Sequence, residues 1–252
     1  MSGKIFLQSY VVPVCIFEDG KSGAILREVI GTAFFCGTRG FFLSAKHVFV
    51  EASAKAKERG LTVGLTIKAD HGTSDASMVS PAMALDYAPE PYDIALGFME
   101  YFPSTPLRST DRDVGVWEAV KTLGYPISAH VKEGEALWIN LRGQEGVVQR
   151  PTVPRDMIST HPNGFELSFL LAPGMSGGPL FTAEGDVIGV NVASFSSRML
   201  DSEFVEVYDN GKTFSEKRFR IEEFGFAHDL RGLLQWQAPM LGGRTLHDVL
   251  KD

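Results

Sequence analysis

The feature that most constrains the fold is a long succession of short apolar runs, separated by turn residues, with little helical periodicity. Runs of this length, bounded by Gly, Pro, Asn and Asp, are typical of β-strands. The 26 glycines and 11% aromatic residues fit a chain with many strands and tight turns. The sequence therefore predicts an all-β protein. The runs cover residues 10–17, 24–35, 41–44, 61–68 and 93–99, and then 116–123, 136–141, 146–149, 165–171, 180–182, 187–193, 204–208 and 219–226.

The runs fall into two series, and a segment rich in Pro, Ser and Thr at residues 102–111 separates them. Because 252 residues suffice for two barrels of roughly 100 residues each, two β-rich halves joined by a linker suggest paired barrels. The expected division is an N-terminal barrel in residues 1–102, a linker in 103–113, a C-terminal barrel in 114–236 and a C-terminal tail in 237–252.

Helical pattern is confined to two places. One segment follows His47, covers residues 48–58 and has Gly60 as its stop. The other begins at Asp229, an acceptable N-cap, and predicts a short C-terminal helix. Between them, Asp-Asn-Gly at residues 209–211 predicts a hairpin turn, with a charged run at residues 216–220 on its solvated edge.

Composition and charge exclude several classes of protein. The formal net charge of −7 argues against nucleic acid as the main partner, because phosphate binding needs a basic face. No apolar run is long enough to cross a bilayer, and the N-terminal residues lack the pattern of a secretory signal. Cys15 and Cys36 lie in apolar strand-like runs, so we expect buried free thiols rather than a disulfide. These features predict a cytoplasmic protein without a membrane partner.

Residues 174–179 read Gly-Met-Ser-Gly-Gly-Pro and lie between two strand-like runs. Gly174 can adopt backbone angles that direct two successive N–H groups toward one point, which suits anion binding. Gly177 and Gly178 are expected to let a substrate backbone approach without meeting a side chain. Ser176 is therefore a candidate nucleophile, although the same residues also satisfy the Gly-x-Ser-x-Gly elbow of α/β-hydrolases.

A serine hydroxyl needs a base to take its proton, and the base needs an orienting acid. Among the six histidines, His47 stands where a strand passes into a helix, a position that fixes the direction of its ring. His228 is the main rival, but its place before Asp229 favours a packing or helix-start role. Asp93 heads an apolar strand, where it is either a turn residue or a half-buried carboxylate that accepts from an imidazole N–H.

Three motifs in the order His, Asp, Ser carry a resemblance to a known family. Residues 31–35 and 43–48 lead to His47, residues 93–96 begin with Asp93, and residues 174–180 contain Ser176. This set resembles the trypsin/chymotrypsin-like serine proteases and is most similar to bacterial HtrA-type and related trypsin-like peptidase domains. The resemblance covers roughly residues 9–236. It implies two antiparallel six-stranded β-barrels, as in a chymotrypsin-like double barrel, with a short C-terminal helix.

The resemblance implies a serine endopeptidase that acts on protein or peptide substrates and requires no metal and no organic cofactor. Ser176 would attack the peptide carbonyl, His47 would transfer the proton, and Asp93 would stabilise the imidazolium. The backbone N–H groups of Gly174 and Ser176 would form the oxyanion hole.

The resemblance also implies where specificity and regulation arise. The base of the substrate pocket would lie near Leu170, with Val192, Ala193 and Ser194 along one wall. Because Leu170 offers no carboxylate, we expect a small or medium apolar side chain at P1; the alternative is that Leu170 is plain strand core. Met175 stands where digestive enzymes carry an Asp that pairs with a newly cut N-terminus. We therefore expect constitutive activity or control by an activating partner protein.

Two other functions are compatible with parts of the same sequence. An α/β-hydrolase esterase built on Ser176, Asp201 and His228 requires a helix directly after the serine, whereas the residues after Pro179 favour a strand. A catalytically silent, protease-like binding module would keep the same three residues, and the sequence leaves it open.

Overall fold

The computed structural model describes residues 10–20, 23–37, 39–68, 77–81, 84–100, 107–133, 136–154 and 161–251. Within these ranges the chain is built mainly from antiparallel strands in two large sheets. The first sheet belongs to the N-terminal half and the second to the C-terminal half, which confirms the predicted all-β class with two β units.

Seven strands form the first sheet, in the order β5-β4-β1-β2-β3-β7-β6. The short strands β5 and β6 were not predicted, because each is too short to show a clear alternation of apolar and polar residues. The strands are β1 Val11–Gly20, β2 Gly23–Cys36, β3 Phe41–Ala45, β4 Thr62–Lys68, β5 Ser77–Pro81, β6 Ala84–Tyr87 and β7 Ile94–Phe98.

Helix α1, Lys46–Arg59, follows β3 without a connecting loop. It begins two residues earlier than the sequence predicted, so His47 lies in its first turn. The helix ends at Gly60, whose φ of 65° is left-handed, as predicted. Val48, Phe49, Ala52 and Ala56 are buried against the first sheet. This packing fixes the start of the helix relative to the sheet.

The second half contains a closed six-stranded barrel in the order β11-β12-β15-β14-β13-β8. A separate two-stranded pair, β9 and β10, lies outside it. Strands β14 and β15 are much longer than the barrel requires and join through the predicted turn at residues 209–211. The strands are β8 Ala119–Gly124, β9 Val131–Glu133, β10 Ala136–Trp138, β11 Arg142–Thr152, β12 Gly164–Leu167, β13 Pro179–Thr182, β14 Val187–Val207 and β15 Thr213–Asp229.

The C-terminal residues differ in part from the prediction. Asp229 is an N-cap, since its side chain accepts from the backbone N–H of Arg231, but the helix that follows is a single 3-10 turn over Leu230–Leu233. The short α-helix lies further on, as α2, Leu246–Lys251. Within the described ranges, no helix is both long and apolar enough to cross a membrane.

A shared apolar core joins the two halves. Cys15 and Phe34 of the first sheet belong to the same buried cluster as Tyr125, Phe181 and Val190 of the second half. Both cysteines are free and buried, as predicted, and burial raises the pKa of each thiol to about 12. Thiols with such pKa values are inert near neutral pH.

The predicted linker lies only partly in the described ranges, because residues 103–106 fall outside them. Leu107 forms an isolated bridge with Cys36 of the first half, and Ser109 forms one with Val187 of the second. The described part of the segment is therefore fixed to both halves. The exact domain boundaries stay a prediction.

Candidate active site

His47 and Asp93 meet because β3 and β7 are neighbours in the first sheet. Asp93 immediately precedes β7, and the register pairs Ala45 with Ile94. The Asp93 carboxylate accepts from the backbone N–H of His47 at 2.9 Å, and its other oxygen lies 2.5 Å from Nδ1 of the His47 ring. The two side chains are 42% and 32% exposed, so the pair is accessible to solvent rather than buried in the core. The imidazole is thus oriented by two contacts with one carboxylate.

Asp93 stays ionised in this setting. Burial would raise its pKa, but the hydrogen bond and charge of His47, together with the His47 backbone N–H, outweigh burial and hold the pKa below its usual value. The ionised Asp93 carboxylate can only accept a hydrogen bond, so the proton of a neutral His47 ring stays on Nδ1, where it donates to Asp93. Nε2 is then available to accept a proton, which is the state that a general base requires.

His228 lies behind Asp93 and is not a second base. Its Nδ1 accepts from the backbone N–H of Asp93 at 3.1 Å, and its ring packs edge-on against Tyr92 and Phe226. The side chain is 1% exposed, and burial lowers its pKa to about 4. His228 is therefore neutral near pH 7 and supports the backbone that carries Asp93. The packing role expected from the sequence agrees with this position.

Thr32 of β2 holds the loop that carries Ser176. Its backbone N–H donates to the carbonyl of Ser176 at 2.9 Å, and its hydroxyl donates to the carbonyl of Gly174 at 2.7 Å. The same hydroxyl oxygen accepts from the N–H of Tyr125 at 3.0 Å. One buried threonine from the first half thus fixes two carbonyls of the loop in the second half.

The N–H groups of the loop divide into two sets. Three of them are bonded within the chain: Met175 to the carbonyl of Ala172, Gly177 to that of Asn191 and Gly178 to that of Met175. Those of Gly174 and Ser176 have no hydrogen-bond partner in the part of the chain that the structure describes. Gly174 has a φ of 96°, which few residues other than glycine adopt. The two unpaired N–H groups are the ones expected to bind an oxyanion.

The Ser176 side chain is half-buried. In the described ranges its hydroxyl makes no hydrogen bond to the His47 ring, although Gly177 packs against Ser44 and Ala45, close to His47 in sequence. Such hydrogen bonds are often long without substrate and shorten when it binds. The structure therefore brings the acid and the base together directly and holds the serine loop against the strand that carries the base.

The two glycines after Ser176 have a role other than the one expected. A side chain at Gly177 would collide with the Thr32 carbonyl and the Ser44 hydroxyl, and one at Gly178 would collide with the Leu123 carbonyl. They admit the close approach of the chain's own backbone rather than that of a substrate. Their absence of side chains is thus a packing requirement of the loop.

The predicted pocket residues lie on two facing segments. Leu170 is 37% exposed, Val192 is buried in the core of the first half, and Ala193 is half-buried. Ser194 accepts from the N–H of Leu171 at 3.0 Å and donates to its carbonyl at 2.8 Å.

Leu171, which the sequence did not single out, lies beside Ser194 and is buried. A Cβ atom added at Gly225 would lie 2.7 Å from the Cγ atom of Leu171. Leu171 therefore packs between Ser194 and Gly225.

The structure shows contacts of Thr32 and Met175 that the sequence did not predict. Thr32 lies in the motif of residues 31–35, but its own role was not predicted. A polar residue in an apolar strand is buried there and needs a hydrogen-bond partner, and this was the signal that could have identified it. Met175 is 1% exposed and packs in the apolar core of the second half.

One pocket lies away from the candidate active site. It has a volume of about 810 Å³ and lies in the second half, where Arg108, Lys121, Gln144 and Asp186 contribute to its lining. None of the candidate active-site residues lines it.

Comparison with solved structures shows the fold. The MamO protease domain from Magnetospirillum magneticum is 18% identical, with a TM-score of 0.53 over 89% of this chain and 94% of that chain. Deg5 is also 18% identical, with a TM-score of 0.53 over 74% and 80%. The HtrA-type protease AlgW, solved with a decapeptide, is 14% identical, with a TM-score of 0.57 over 88% of this chain and 61% of that chain.

Comparison of the sequence with family models gives a more specific result. No curated protein matches the chain. The model of the trypsin-like peptidase domain, however, matches residues 31–190, which is more than half of the chain and includes His47, Asp93 and Ser176. The suspected superfamily is confirmed, and the α/β-hydrolase alternative is excluded by a fold in which a strand, β13, follows the serine loop. The chain belongs to the trypsin-like peptidase domain family.

Proposed function

We propose that the chain is a serine endopeptidase in which Ser176, His47 and Asp93 form the catalytic triad. The observation that carries the proposal is an oriented His47–Asp93 pair together with two unbonded N–H groups in the described residues, that of Ser176 and that of Gly174 two residues before it. A trypsin-like peptidase domain acts on peptides, so a protein or peptide is the proposed substrate. The mechanism needs no metal and no organic cofactor.

In the proposed reaction, Ser176 Oγ attacks the scissile carbonyl while His47 Nε2 takes the hydroxyl proton. The N–H groups of Gly174 and Ser176 bind the developing oxyanion, and each donor contributes about 3 kcal/mol in comparable sites. His47 then donates its proton to the leaving amine, which leaves an acyl-enzyme. A water molecule, activated by the same imidazole, hydrolyses the ester and restores Ser176.

The absence of a charged side chain among Leu170, Val192, Ala193 and Ser194 supports a preference for a small or medium apolar side chain at P1. Cleavage of a peptide library with each residue type at P1 measures this preference. Selection of Ala, Val or similar residues is the expected result, and selection of Arg or Lys would contradict it. Leu170, Val192, Ala193 and Ser194 remain the proposed pocket residues, and the buried Leu171 beside Ser194 is added to them.

A second candidate function is a protease-like module that binds peptides without cutting them, because Ser176 and His47 are not hydrogen-bonded in the described ranges. A fluorophosphonate probe distinguishes the two functions. We expect covalent labelling of the protein that disappears in Ser176→Ala and persists in a control variant, Ser168→Ala. Absence of labelling under all conditions would favour the binding module.

We also propose that activity does not depend on a newly cut N-terminus. Met175 occupies an apolar site, so no buried charge there awaits an amino group. Activity is then either constitutive or controlled by a partner protein that orders the loops around Gly174. Full activity appearing only after removal of an N-terminal peptide would contradict this proposal. The cytoplasmic location expected from the sequence stays a prediction.

A further inference from the structure

Strands β14 and β15 extend far beyond the barrel as a two-stranded ribbon, residues 196–223. In the described part of the chain, β13 pairs with β14 only up to Val190, and β12 pairs with β15 only down to Gly225. Every residue of the ribbon is exposed, and within the described ranges no hydrogen bond or ion pair joins the ribbon to the rest of the chain. An isolated two-stranded ribbon is only marginally stable in water, so a ribbon of this length favours contact with a second surface.

Side chains alternate between the two faces of the ribbon, and one ion pair fixes which residues share a face. Lys217 pairs with Glu203 directly across the ribbon at 3.2 Å. Residues two and four positions from Lys217 on β15 lie on that same face. The register gives their partners on β14, on either side of the bulge between Leu200 and Ser202. Five large apolar side chains on this face, which we name the apolar face, are each at least half exposed: Leu200, Val205, Val207, Phe219 and Ile221.

The charges of the apolar face balance. Among the residues paired in the register, it carries two basic residues, Arg198 and Lys217, and two acidic residues, Glu203 and Glu223. The formal net charge of −7 makes two copies of the chain repel each other at long range, whereas two apolar faces add no net repulsion. A strongly charged partner of either sign therefore gains little from this face, and an identical face suits it.

The apolar residues are also placed evenly about the centre of this face. Phe219 and Ile221 lie in the first and second pairs from Lys217 toward the barrel, and Val205 and Val207 lie in the first and second pairs toward the tip. A two-fold axis at the central pair would stack a second ribbon on the first in the reverse direction. Phe219 of each copy would then meet Val205 of the other, and Ile221 would meet Val207. Such a self-complementary arrangement is what a two-fold interface between identical chains requires.

We propose that the apolar face binds the same face of a second copy of this chain, so that the ribbon is a self-association surface. At about 3.3 Å per residue and 4.8 Å between strands, the ribbon is roughly 40 Å long and 10 Å wide. One face thus offers on the order of 400 Å² in projection, below the ~800 Å² per partner of a standard interface. We expect a reversible dimer with a dissociation constant on the order of micromolar rather than a permanent one. Self-association of this kind does not depend on the proposed endopeptidase function.

Sedimentation velocity of the full chain at concentrations from about 1 to 100 µM measures self-association. We expect the mass to rise with concentration from that of a monomer toward that of a dimer. Replacement of both Phe219 and Ile221 by Thr should weaken the dimer at least tenfold while keeping the strand preference of the ribbon. A chain that stays monomeric at all these concentrations would overturn the inference.

A matched double variant on the opposite face, Phe204→Thr with Phe214→Thr, is the control, since these two side chains are about equally exposed. It should dimerise as the native chain does. Equal weakening in the two double variants would contradict the assignment to the apolar face.

Crosslinking through a single new cysteine tests whether the partner is an identical face. The native Cys15 and Cys36 are buried, so a thiol introduced on the ribbon is the accessible one. Lys217→Cys lies at the centre of the apolar face, and Arg218→Cys lies on the opposite face; each change removes one exposed ion pair with a glutamate. We expect a short bifunctional maleimide to link two chains of Lys217→Cys and not of Arg218→Cys. Equal linking in both variants, or none in Lys217→Cys, would contradict a two-fold contact through this face.

Reaction with the fluorophosphonate probe separates this inference from the proposed function. Because the ribbon holds none of the proposed triad residues, the variant with Thr at 219 and 221 should be labelled at the native rate. A chain that dimerises as described but is never labelled refutes the proposed endopeptidase function alone. A labelled chain that stays monomeric refutes self-association through the ribbon alone.

Discussion

His228 shows how a residue that does not touch the reacting atoms can support the site. Its Nδ1 holds the backbone N–H of Asp93, and Asp93 orients the His47 ring. His228→Leu removes the acceptor, whereas His228→Asn places an amide oxygen near the position of Nδ1. We expect the Leu variant to lose about tenfold in kcat, with the KM for peptides little changed, and the Asn variant to recover most of the loss. Equal activity of the Leu variant and the native enzyme would contradict this role.

The buried state of His228 also makes stability depend on pH. Its pKa in the folded protein is about 4, below the ordinary value of 6.5, so between these values the unfolded chain binds a proton that the folded chain does not. The free energy of unfolding therefore decreases by about 3 kcal/mol as the pH falls from 6.5 toward 4. Denaturant unfolding of the native chain and of His228→Leu across this range measures the effect. The variant should show a smaller decrease, and an unchanged pH dependence would contradict the assignment.

The long strands illustrate what the sequence could and could not predict among the secondary-structure elements. Most strands were identified because their apolar residues are buried on a sheet. The extension of β14 and β15 beyond the barrel was missed as a continuous structure, because residues 196–203 are exposed on both faces and show no regular alternation. Helix α1 was predicted with its stop at Gly60, since a left-handed residue ends the helix.

Gly60 gives a test of helix α1 as an element. A φ of 65° is energetically unfavourable for a residue with a Cβ atom. Alanine also restricts the unfolded chain, which offsets part of this cost. Gly60→Ala should therefore lower the free energy of unfolding by about 1 kcal/mol. Because His47 lies at the opposite end of the helix, kcat/KM should change little. Gly115→Ala, at an open position without positive φ, is the matched control and should leave stability unchanged. A Gly60 variant as stable as the control would refute the role of the left-handed cap.

At the scale of the whole molecule, the site depends on how the two halves meet. The positions of His47, Asp93 and Ser176 were predicted from local motifs of strand, turn and glycine. The contacts of Thr32 with the serine loop and of His228 with Asp93 were not, because they depend on the register of strands and the docking of two sheets. Contacts between residues more than a hundred positions apart leave little local pattern in a single sequence.

Thr32 is the side chain through which the first half orders the loop of the second. Thr32→Val keeps its shape but leaves the Gly174 carbonyl and the Tyr125 N–H without a buried partner. We expect a loss of about 1–3 kcal/mol in stability and at least a tenfold loss in kcat/KM, with Thr32→Ser retaining both. Thr66→Val, which removes a buried hydroxyl that contacts Cys15, should lower stability without a comparable loss of kcat. Equal kinetic effects of the Thr32 and Thr66 variants would contradict the link between the halves.

In the proposed mechanism, Ser176 and His47 act together on the peptide bond, and neither is effective without the other. The most direct measurement compares kcat/KM for a cleaved peptide in Ser176→Ala, His47→Ala and the double variant. Residues that act as a unit are not additive, so each variant should lose a similar factor, on the order of 10⁵ to 10⁶. Losses that multiply in the double variant, or cleavage that survives Ser176→Ala, would contradict it.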